Sequence, residues 1–526
     1  MKRIKSVGII LLSILVLASC AKREAQEVSE EVIEVLENDP LVYLGIEGAV
    51  ASSFDDTPDW APLPNAMASA DRDMLTRWSP KLGVDNQWIY FDFGKEKVLD
   101  KIIIKWERAY ASEYEILTSK DAKSWRRLVL KKDGKGGTEK LKVRAVRARY
   151  VKLIGLKRNN PKWGFSIWEF ELYGPQSLNP GEEVVVEGED DLEKEKRELK
   201  KALAEAKTPL SKMTLDEIQN GICYTSWMYD ELSTIVSDKM LLHLKNIGTT
   251  HISIVVPAYQ EEIDSDVIFM NDFEGGDTPS DESIEHAIKV AHDLGIKVML
   301  KPHVDCRDET PRVDIIASEK WFDSYEKMIL RYAKLAERNK VEIFSVGTEL
   351  EGTTFSRWEA RWRDVINKIK SVYSGYLIYS ANWTEYKSVP FWDMLDFIGI
   401  DAYFPLTENL DPTKEELIAS WELIAENMEI WLNEKGLEKS IVFTEIGYPS
   451  SDGANKQPWV QMTDVEDQPE QRDSLDAVFV VMSKKSFFKG LYLWQYLPQD
   501  RWSPLGFTVK DKQAEEVLSK WFKNVK

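Results

Sequence analysis

Eight short apolar segments, separated mostly by amphipathic stretches, organise the C-terminal part of this chain of 526 residues. In order they are Gly221–Trp227, His251–Pro257, Lys297–Val304, Glu342–Leu350, Tyr376–Trp383, Phe397–Pro405, Ile441–Pro449 and Gly490–Tyr496. Strands that alternate with helices form a parallel sheet, and eight such units close into a barrel. The pattern therefore predicts an α/β fold, a (β/α)8 TIM barrel, over residues 213–526.

Two of these predicted strands end on a carboxylate. Glu349 ends the fourth strand and Glu445 lies near the end of the seventh. An apolar strand gains nothing by ending on a charged side chain unless that side chain faces a polar cleft. Both residues would lie at the C-terminal mouth, where barrels of this type carry their chemistry. The pair indicates acid/base catalysis, and the alternative is that each Glu pairs with a Lys or Arg at a loop edge.

Charge and aromatic content indicate which classes of binding partner suit this chain. A formal net charge of −20 argues against nucleic acid, which requires a basic surface. The 19 tryptophans suit a polysaccharide or oligosaccharide partner, because flat aromatic rings pack on pyranose rings, although tryptophan also fills cores. Cys223 and Cys306 show no metal-ligand spacing and are expected to be buried, inert thiols. By default, we expect a monomer.

The N-terminus carries an export signal. Basic residues precede an apolar run from Val7 to Leu17, which predicts a secretory signal over residues 1–20. Its end, Leu17–Cys20, resembles the bacterial lipobox, which implies that Cys20 is lipidated and tethers the protein to a bacterial membrane. A transmembrane anchor is the alternative, but the run is shorter than the ~20 residues that a spanning helix requires. Residues 21–40 are Glu-rich and predict an acidic, solvated spacer, so we expect an exported, lipid-anchored protein.

Residues 41–175 change to short alternating strands with turn residues between them, which predicts an all-β sandwich. The clearest strands are Gln87–Gly94, Lys101–Trp106, Glu113–Ser119, Arg149–Leu153 and Ile167–Tyr173. Residues 176–212 then form a charged linker, and its Asp190–Lys207 stretch predicts an exposed helix that acts as a semi-rigid spacer.

The sandwich segment resembles the discoidin or coagulation-factor type C domain, a jelly roll whose bacterial relatives include carbohydrate-binding module family 32. The resemblance rests on motifs such as Thr76–Trp78, Gln87–Gly94, Ala148–Tyr150 and Glu169–Gly174. It implies a structural calcium ion, because calcium favours hard oxygen ligands, and the alternative is a turn held by hydrogen bonds alone. The matching positions are Asp71, Asp73, Thr76 and Glu169. The loops Asp55–Ala66 and Asn159–Phe165 offer Trp60 and Trp163 as stacking residues, and the alternative is that these tryptophans pack on their own domain.

The barrel segment resembles the clan of retaining glycoside hydrolases, through Gly347–Leu350, Thr444–Tyr448 and Leu493–Trp494. Lys301–Val304 and Trp502–Phe507 narrow the resemblance to glycoside hydrolase family 113, the β-mannanase family. Most members of the clan have Asn before the acid/base Glu, whereas Thr348 stands there in this chain.

The resemblance implies Glu349 as general acid/base, Glu445 as nucleophile and no cofactor for catalysis. Other residues expected to line the cleft are Trp494, Tyr403, His303, Asn382, Trp383, Trp227 and Tyr448. Core packing of Tyr403 and a structural imidazole at His303 are the alternatives for those two residues. The implied function is a membrane-tethered endo-β-1,4-mannanase. Hydrolysis of another β-linked glycan, such as glucan or glucomannan, and a non-catalytic glycan-binding lipoprotein are the alternatives.

Overall fold

A computed structural model describes residues 39–54, 65–72, 76–107, 109–160, 164–185, 191–273, 276–498 and 503–524. The predicted signal peptide, Cys20 and most of the acidic spacer lie outside these residues, as do Trp60, Asp73 and Trp163. The chain divides into two compact units, a β-rich unit followed by a barrel unit. Among the described residues, no helix is both long enough and apolar enough to cross a membrane.

The first unit is an antiparallel β structure, which confirms the discoidin-like fold. The sheet order is β5-β4-β6-β3-β7-β1-β8, with β2 paired to β3. The strands are β1 Leu41–Tyr43, β2 Gly48–Ala51, β3 Gln87–Trp106, β4 Ala111–Ser119, β5 Arg126–Lys131, β6 Thr138–Arg158, β7 Ile167–Pro175 and β8 Glu183–Val185.

Strand β3 shows why this sequence forms a sandwich. Alternate residues Ile89, Phe91 and Phe93 are fully buried and pack into one apolar core with Trp78. The two strands predicted at 87–94 and 101–106 form this single strand, because pairing to β6 resumes after a register shift between Asp92 and Lys97. A register shift of this kind bends a strand without ending it.

The second unit is a closed barrel of parallel strands, in which the last strand pairs with the first, and it confirms the (β/α)8 fold. Its strands are β9 Gln219–Thr225, β10 His251–Gln260, β11 Lys297–Cys306, β12 Ile343–Thr348, β13 Tyr376–Asn382, β14 Ile398–Asp401, β15 Ile441–Ile446 and β16 Phe488–Tyr496. Each strand overlaps one predicted segment. Cys223 and Cys306 are free and buried, as expected.

Helices surround the strands, and most of them begin at a residue whose side chain caps the first turn. They are α1 Asp191–Ala206, α2 Ile235–Ile247, α3 Asp281–Asp293, α4 Glu319–Arg338, α5 Glu359–Val372, α6 Lys414–Lys435, α7 Gln468–Met482 and α8 Gln513–Asn524. Thr413 caps α6 in a capping box with Glu416, and Gly436 ends that helix in the left-handed conformation. Between β13 and β14 the described chain forms only a 3-10 turn, Trp392–Met394, in place of a helix.

Helix α1 corrects one prediction. Its charged sequence predicted a solvent-exposed spacer, but the helix belongs to the barrel unit. Leu199 is buried, Leu203 and Ala206 pack against the barrel core, and Glu195 forms an ion pair with Lys239 of α2. The apolar residues Leu199, Leu203 and Ala206 recur at helical spacing, and this stripe holds α1 to the barrel despite the charged residues around it.

Candidate active site

The two predicted carboxylates lie at the C-terminal ends of their strands. Glu445 is within β15, and Glu349 directly follows β12. The pairing of β12 with β13 shifts between Ser345 and Thr348, and Glu349 has a φ of 49°, in the left-handed region that non-glycine residues seldom adopt. Its amide is held by a hydrogen bond of 2.8 Å to the Ser380 carbonyl. Such local strain is common where a strand end aims a functional side chain.

Both oxygens of Glu445 are held by donors in a buried pocket. The Lys301 Nζ atom donates to Oε1 at 2.5 Å, and the Tyr403 hydroxyl donates to Oε2 at 2.9 Å. Burial alone would lower the pKa of Lys301, but the charges of Asp401 and Glu445 outweigh it and raise that pKa. Lys301 therefore stays an ammonium at physiological pH, and it fixes the carboxylate of Glu445 in place.

Asp401 completes this pocket. Lys301 Nζ lies 3.1 and 3.2 Å from its two oxygens, and the Thr444 hydroxyl donates to Oδ1 at 2.7 Å. Burial, followed by the charge of Glu445, raises the pKa of Asp401 well above its usual range. One ammonium thus serves two carboxylates, so the pocket depends on Lys301 to offset their mutual repulsion.

Glu349 lies in a different environment. Its Oε1 accepts from Asn382 Nδ2 at 2.8 Å, and its Oε2 lies 3.3 Å from Arg312 Nη1. Burial raises the pKa of Glu349, the guanidinium of Arg312 opposes this shift, and the charge of Glu445 adds to it. Glu349 thus has a raised pKa, while Glu445 is held by an ammonium. Catalysis by two carboxyls requires such a difference between their environments, so that one can act as an acid and the other as a carboxylate.

An aromatic wall lies on the Glu445 side of the site. The Nε2 atom of His303 is 3.6 Å from Glu445 Oε1, and it has no hydrogen-bond partner among the described residues. Burial, with the charges of Arg312 and Lys301, holds the pKa of His303 well below its usual value, so the imidazole is neutral. Its ring lies parallel to Trp494 at 6.4 Å, and Trp227 meets Trp494 edge-on at 6.4 Å.

A buried carboxyl behind Glu349 links the ends of β12 and β13. Glu385 is fully buried, and its Oε1 accepts from the hydroxyls of Tyr379 at 2.8 Å and Thr354 at 2.7 Å. Its Oε2 accepts from the backbone amide of Asn382 at 3.2 Å, while the Tyr379 hydroxyl accepts from the backbone amide of Leu350 at 2.9 Å. Burial raises the pKa of Glu385 to about 8. Glu385 therefore connects Leu350, the residue after Glu349, with Asn382, whose side chain donates to Glu349.

Most of the residues predicted to line the cleft lie at the site, but not all of them do. Contacts with Glu445, Glu349 or the wall beside them are made by Tyr403, His303, Asn382, Trp494 and Trp227. Tyr448 is only 1% exposed and packs in the barrel core, so the expectation that it lines the cleft is wrong. Tyr448 stands three residues after Glu445, so period-two alternation places its side chain on the face opposite that of Glu445.

Several contributors were not predicted as site residues. Lys301 and Asp401 are charged residues inside apolar strands, which is a signal that could have found them. Arg312 and Glu385 lie after strand ends, in segments without periodicity, where the sequence offers no comparable signal.

In the sandwich, the residues predicted to bind calcium include a buried carboxyl. Glu169 is 1% exposed, and neither of its oxygens has a hydrogen-bond partner among the described residues. Burial and the nearby charge of Asp71 raise the pKa of Glu169 to about 8. The Thr76 hydroxyl donates to both oxygens of Asp71, at 2.9 and 2.7 Å. A buried carboxyl without a donor, close to a second carboxylate, fits a hard cation such as calcium.

Comparisons with known proteins agree with this architecture. Residues 226–512 match the sequence model of Glycoside Hydrolase Family 113, and residues 48–170 match that of the F5/8 type C domain. A polysaccharide lyase 8 family protein, HylA of Enterococcus faecalis, is 28% identical over 178 residues, which are 32% of this chain and 12% of that protein.

Two solved structures resemble the barrel. The GH113 β-mannanase AaManA of Alicyclobacillus acidocaldarius, in complex with ManMIm, is 26% identical and has a TM-score of 0.53. The alignment covers 59% of this chain and 98% of that one. A second structure, a complex of a GH113 β-1,4-mannanase, is 25% identical, covers 59% of this chain and 99% of that one, and has a TM-score of 0.52. This chain belongs to glycoside hydrolase family 113 and carries an F5/8 type C domain ahead of its barrel.

Proposed function

We propose that this protein is a retaining endo-β-1,4-mannanase that uses Glu349 as general acid/base and Glu445 as nucleophile. The observation that carries the mechanism is the contrast between the two carboxyls. Lys301 and Tyr403 hold both oxygens of Glu445, whereas burial raises the pKa of Glu349. The similarity of the barrel to β-mannanase structures supports mannan as the substrate.

In the first step, Glu445 attacks the anomeric carbon while Glu349 gives its proton to the departing glycosidic oxygen. The bond to the leaving sugar breaks, and an ester forms between the sugar and Glu445. In the second step, Glu349 takes a proton from a water molecule, whose oxygen attacks the same carbon and releases Glu445. Two inversions leave the anomeric configuration unchanged. The donors on Glu445 stabilise it as it leaves, because its charge returns in that step.

The second candidate is the same chemistry on another β-linked glycan. Mannose and glucose differ in the orientation of one hydroxyl, so glucomannan and β-glucan remain the competing substrates. A non-catalytic glycan-binding role is disfavoured because the chain retains both carboxylates with distinct partners.

The experiment is reducing-sugar release from a panel of mannan, glucomannan, xylan and β-glucan. We expect the highest rate on mannan, and loss of about 100-fold or more in Glu349→Ala and in Glu445→Ala. Glu351→Ala is the control, because Glu351 lies two residues from Glu349 and its carboxylate accepts a hydrogen bond only from Thr384 among the described residues. Wild-type activity in either catalytic variant would remove that residue from the mechanism, and an enzyme inert on the whole panel would favour the binding role.

We also propose that Cys20 is lipidated and that the mature protein is anchored outside the cytoplasm, as the Leu17–Cys20 motif predicts. Cys20→Ser should then abolish incorporation of labelled fatty acid and move the protein from the membrane fraction to the soluble fraction. An unchanged distribution would contradict the anchor.

A further inference from the structure

We propose that Trp383 and Trp459 form a sugar-binding platform for the leaving-group portion of the glycan chain. The platform is defined here as these two rings. This inference rests on the proposed function, because it assigns part of the same substrate to a second surface of the mouth. Nothing in the sequence motifs pointed to Trp459.

The position of the platform follows from the acid/base. A general acid must lie beside the oxygen of the leaving sugar. Asn382 donates to Glu349 at 2.8 Å, and Trp383 is the next residue along the chain. The other aromatic pair, Trp494 with Trp227, stands instead with His303 beside Glu445. In the chain, Trp383 thus follows the residue that donates to Glu349, whereas Trp494 and Trp227 stand beside Glu445, and we therefore assign the platform to the Glu349 side.

The geometry of the platform suits a pyranose ring. Trp459 and Trp383 are stacked with centroids 6.0 Å apart and an interplanar angle of 19°. Trp383 is backed by Phe404 at 5.7 Å, while Trp459 is 46% exposed and presents apolar surface to solvent. No described protein group accepts a hydrogen bond from either indole N–H. A flat apolar surface bordered by indole donors can contact both the C–H face and the hydroxyls of a sugar.

The loop that carries Trp459 is fixed at its base. The Asn455 side chain donates to the Asn409 carbonyl at 2.9 Å and accepts from the Thr407 hydroxyl at 2.8 Å. The amides of Gly453 and Asn455 each donate to Glu470 at 2.8 Å. Trp459 therefore exposes a large apolar ring to water on a loop that is well anchored. A polar residue at this position would not expose apolar surface, so the tryptophan favours a binding role.

The occupant is a glycan chain rather than a protein. A stable protein interface requires on the order of 1,000 Å² of buried surface, which two side chains do not supply. A sugar unit needs only one ring-sized surface, and the platform is joined through Asn382 to the group that protonates the scissile bond. Binding of sugar units beyond that bond is what cleavage within a chain requires.

The test compares a long and a short substrate. Trp459→Ala should raise KM for mannan about tenfold, from the loss of one stacking contact, and leave kcat/KM for β-mannobiosyl fluoride, whose leaving group is a single fluoride ion, within about twofold. Trp459→Phe keeps a flat ring and should fall between the wild type and Trp459→Ala. Leu423→Ala is the control, because Leu423 is 63% exposed on α6 and contacts none of the site residues described above, so this variant should match the wild type.

An unchanged KM for mannan in Trp459→Ala would overturn the platform, as would an equal loss on both substrates. If the wild type leaves mannan intact but cleaves another glycan of the panel, the proposed substrate fails. The platform is then judged by the same comparison on that glycan and the matching glycosyl fluoride. An enzyme that cleaves none of them would overturn both proposals.

Discussion

Lys301→Met removes the ammonium that two buried carboxylates share. The side chains of Lys301 and Asp401 are fully buried, and that of Glu445 is 4% exposed. Methionine keeps an unbranched apolar chain of similar length, so the main change is electrostatic. Loss of one partner from a buried ion pair costs about 3–5 kcal/mol, because the remaining charge is left uncompensated. At roughly 2–4 °C per kcal/mol, the thermal midpoint of the barrel should fall by on the order of 10 °C.

This loss should depend on pH. Burial and the charge of Glu445 already raise the pKa of Asp401 in the folded protein, and the loss of Lys301 removes the charge that opposes this. A carboxyl whose folded pKa exceeds its unfolded value contributes stability that is full at low pH and is lost as the pH rises. The deficit of Lys301→Met should therefore be smallest below about pH 4, the usual pKa of an aspartate, and should grow toward neutral pH.

The assay is scanning calorimetry of the full chain at pH 4.5 and 7.5, alongside mannan hydrolysis. Lys297→Met is the matched control on the same strand. Lys297 Nζ lies 2.5 Å from Glu217, but that carboxylate is 25% exposed and can be solvated by water. The control should lose less stability, show little change in this loss with pH and retain activity. The reasoning is refuted if the two variants lose the same stability at both pH values, or if Lys301→Met keeps full activity.

Two further predictions concern buried carboxyls. Glu385→Ala should lower kcat about tenfold or more with a smaller change in KM, because the Asn382 backbone amide loses its acceptor and the Asn382 side chain that donates to Glu349 is displaced. The alkaline limb of the pH–rate profile, which follows ionisation of the general acid Glu349, should shift as well, whereas a purely structural role would leave that limb in place. In the sandwich, calcium at 100 times its Kd should stabilise the domain by about 2.7 kcal/mol, and chelation should reverse this gain. Glu169→Gln should abolish this stabilisation by calcium, and magnesium at the same concentration should not reproduce it. A wild-type protein whose thermal midpoint does not change with calcium would contradict the site.

Sequence patterns predict the barrel because alternating strands and helices have few other solutions, and the ends of β12 and β15 place Glu349 and Glu445 at one mouth. The prediction fails where nearness to a motif was followed in place of the side-chain pattern. Tyr448 follows Glu445 by three residues and therefore faces the core, and the apolar stripe of α1 packs a helix against the barrel although its charge predicted an exposed spacer.

The contacts of side chains that lie on loops could not be predicted from the sequence either. Arg312 contacts Glu349 from the segment after β11, and Trp459 reaches Trp383 from the segment after β15. Neither segment has a period that fixes where its side chains point. These contacts depend on long-range packing between loops, which only the folded structure reveals.

The central claim is that Glu445 forms a bond to the sugar while Glu349 moves the proton. A slow substrate, 2-deoxy-2-fluoro-β-mannosyl fluoride, should leave its sugar attached to the enzyme, because the fluorine slows release of the intermediate. Peptide mass spectrometry of the labelled protein is the direct measurement. We expect one added fluorosugar, on the peptide that contains Glu445. A label on a different residue, or inactivation without any covalent label, would contradict it.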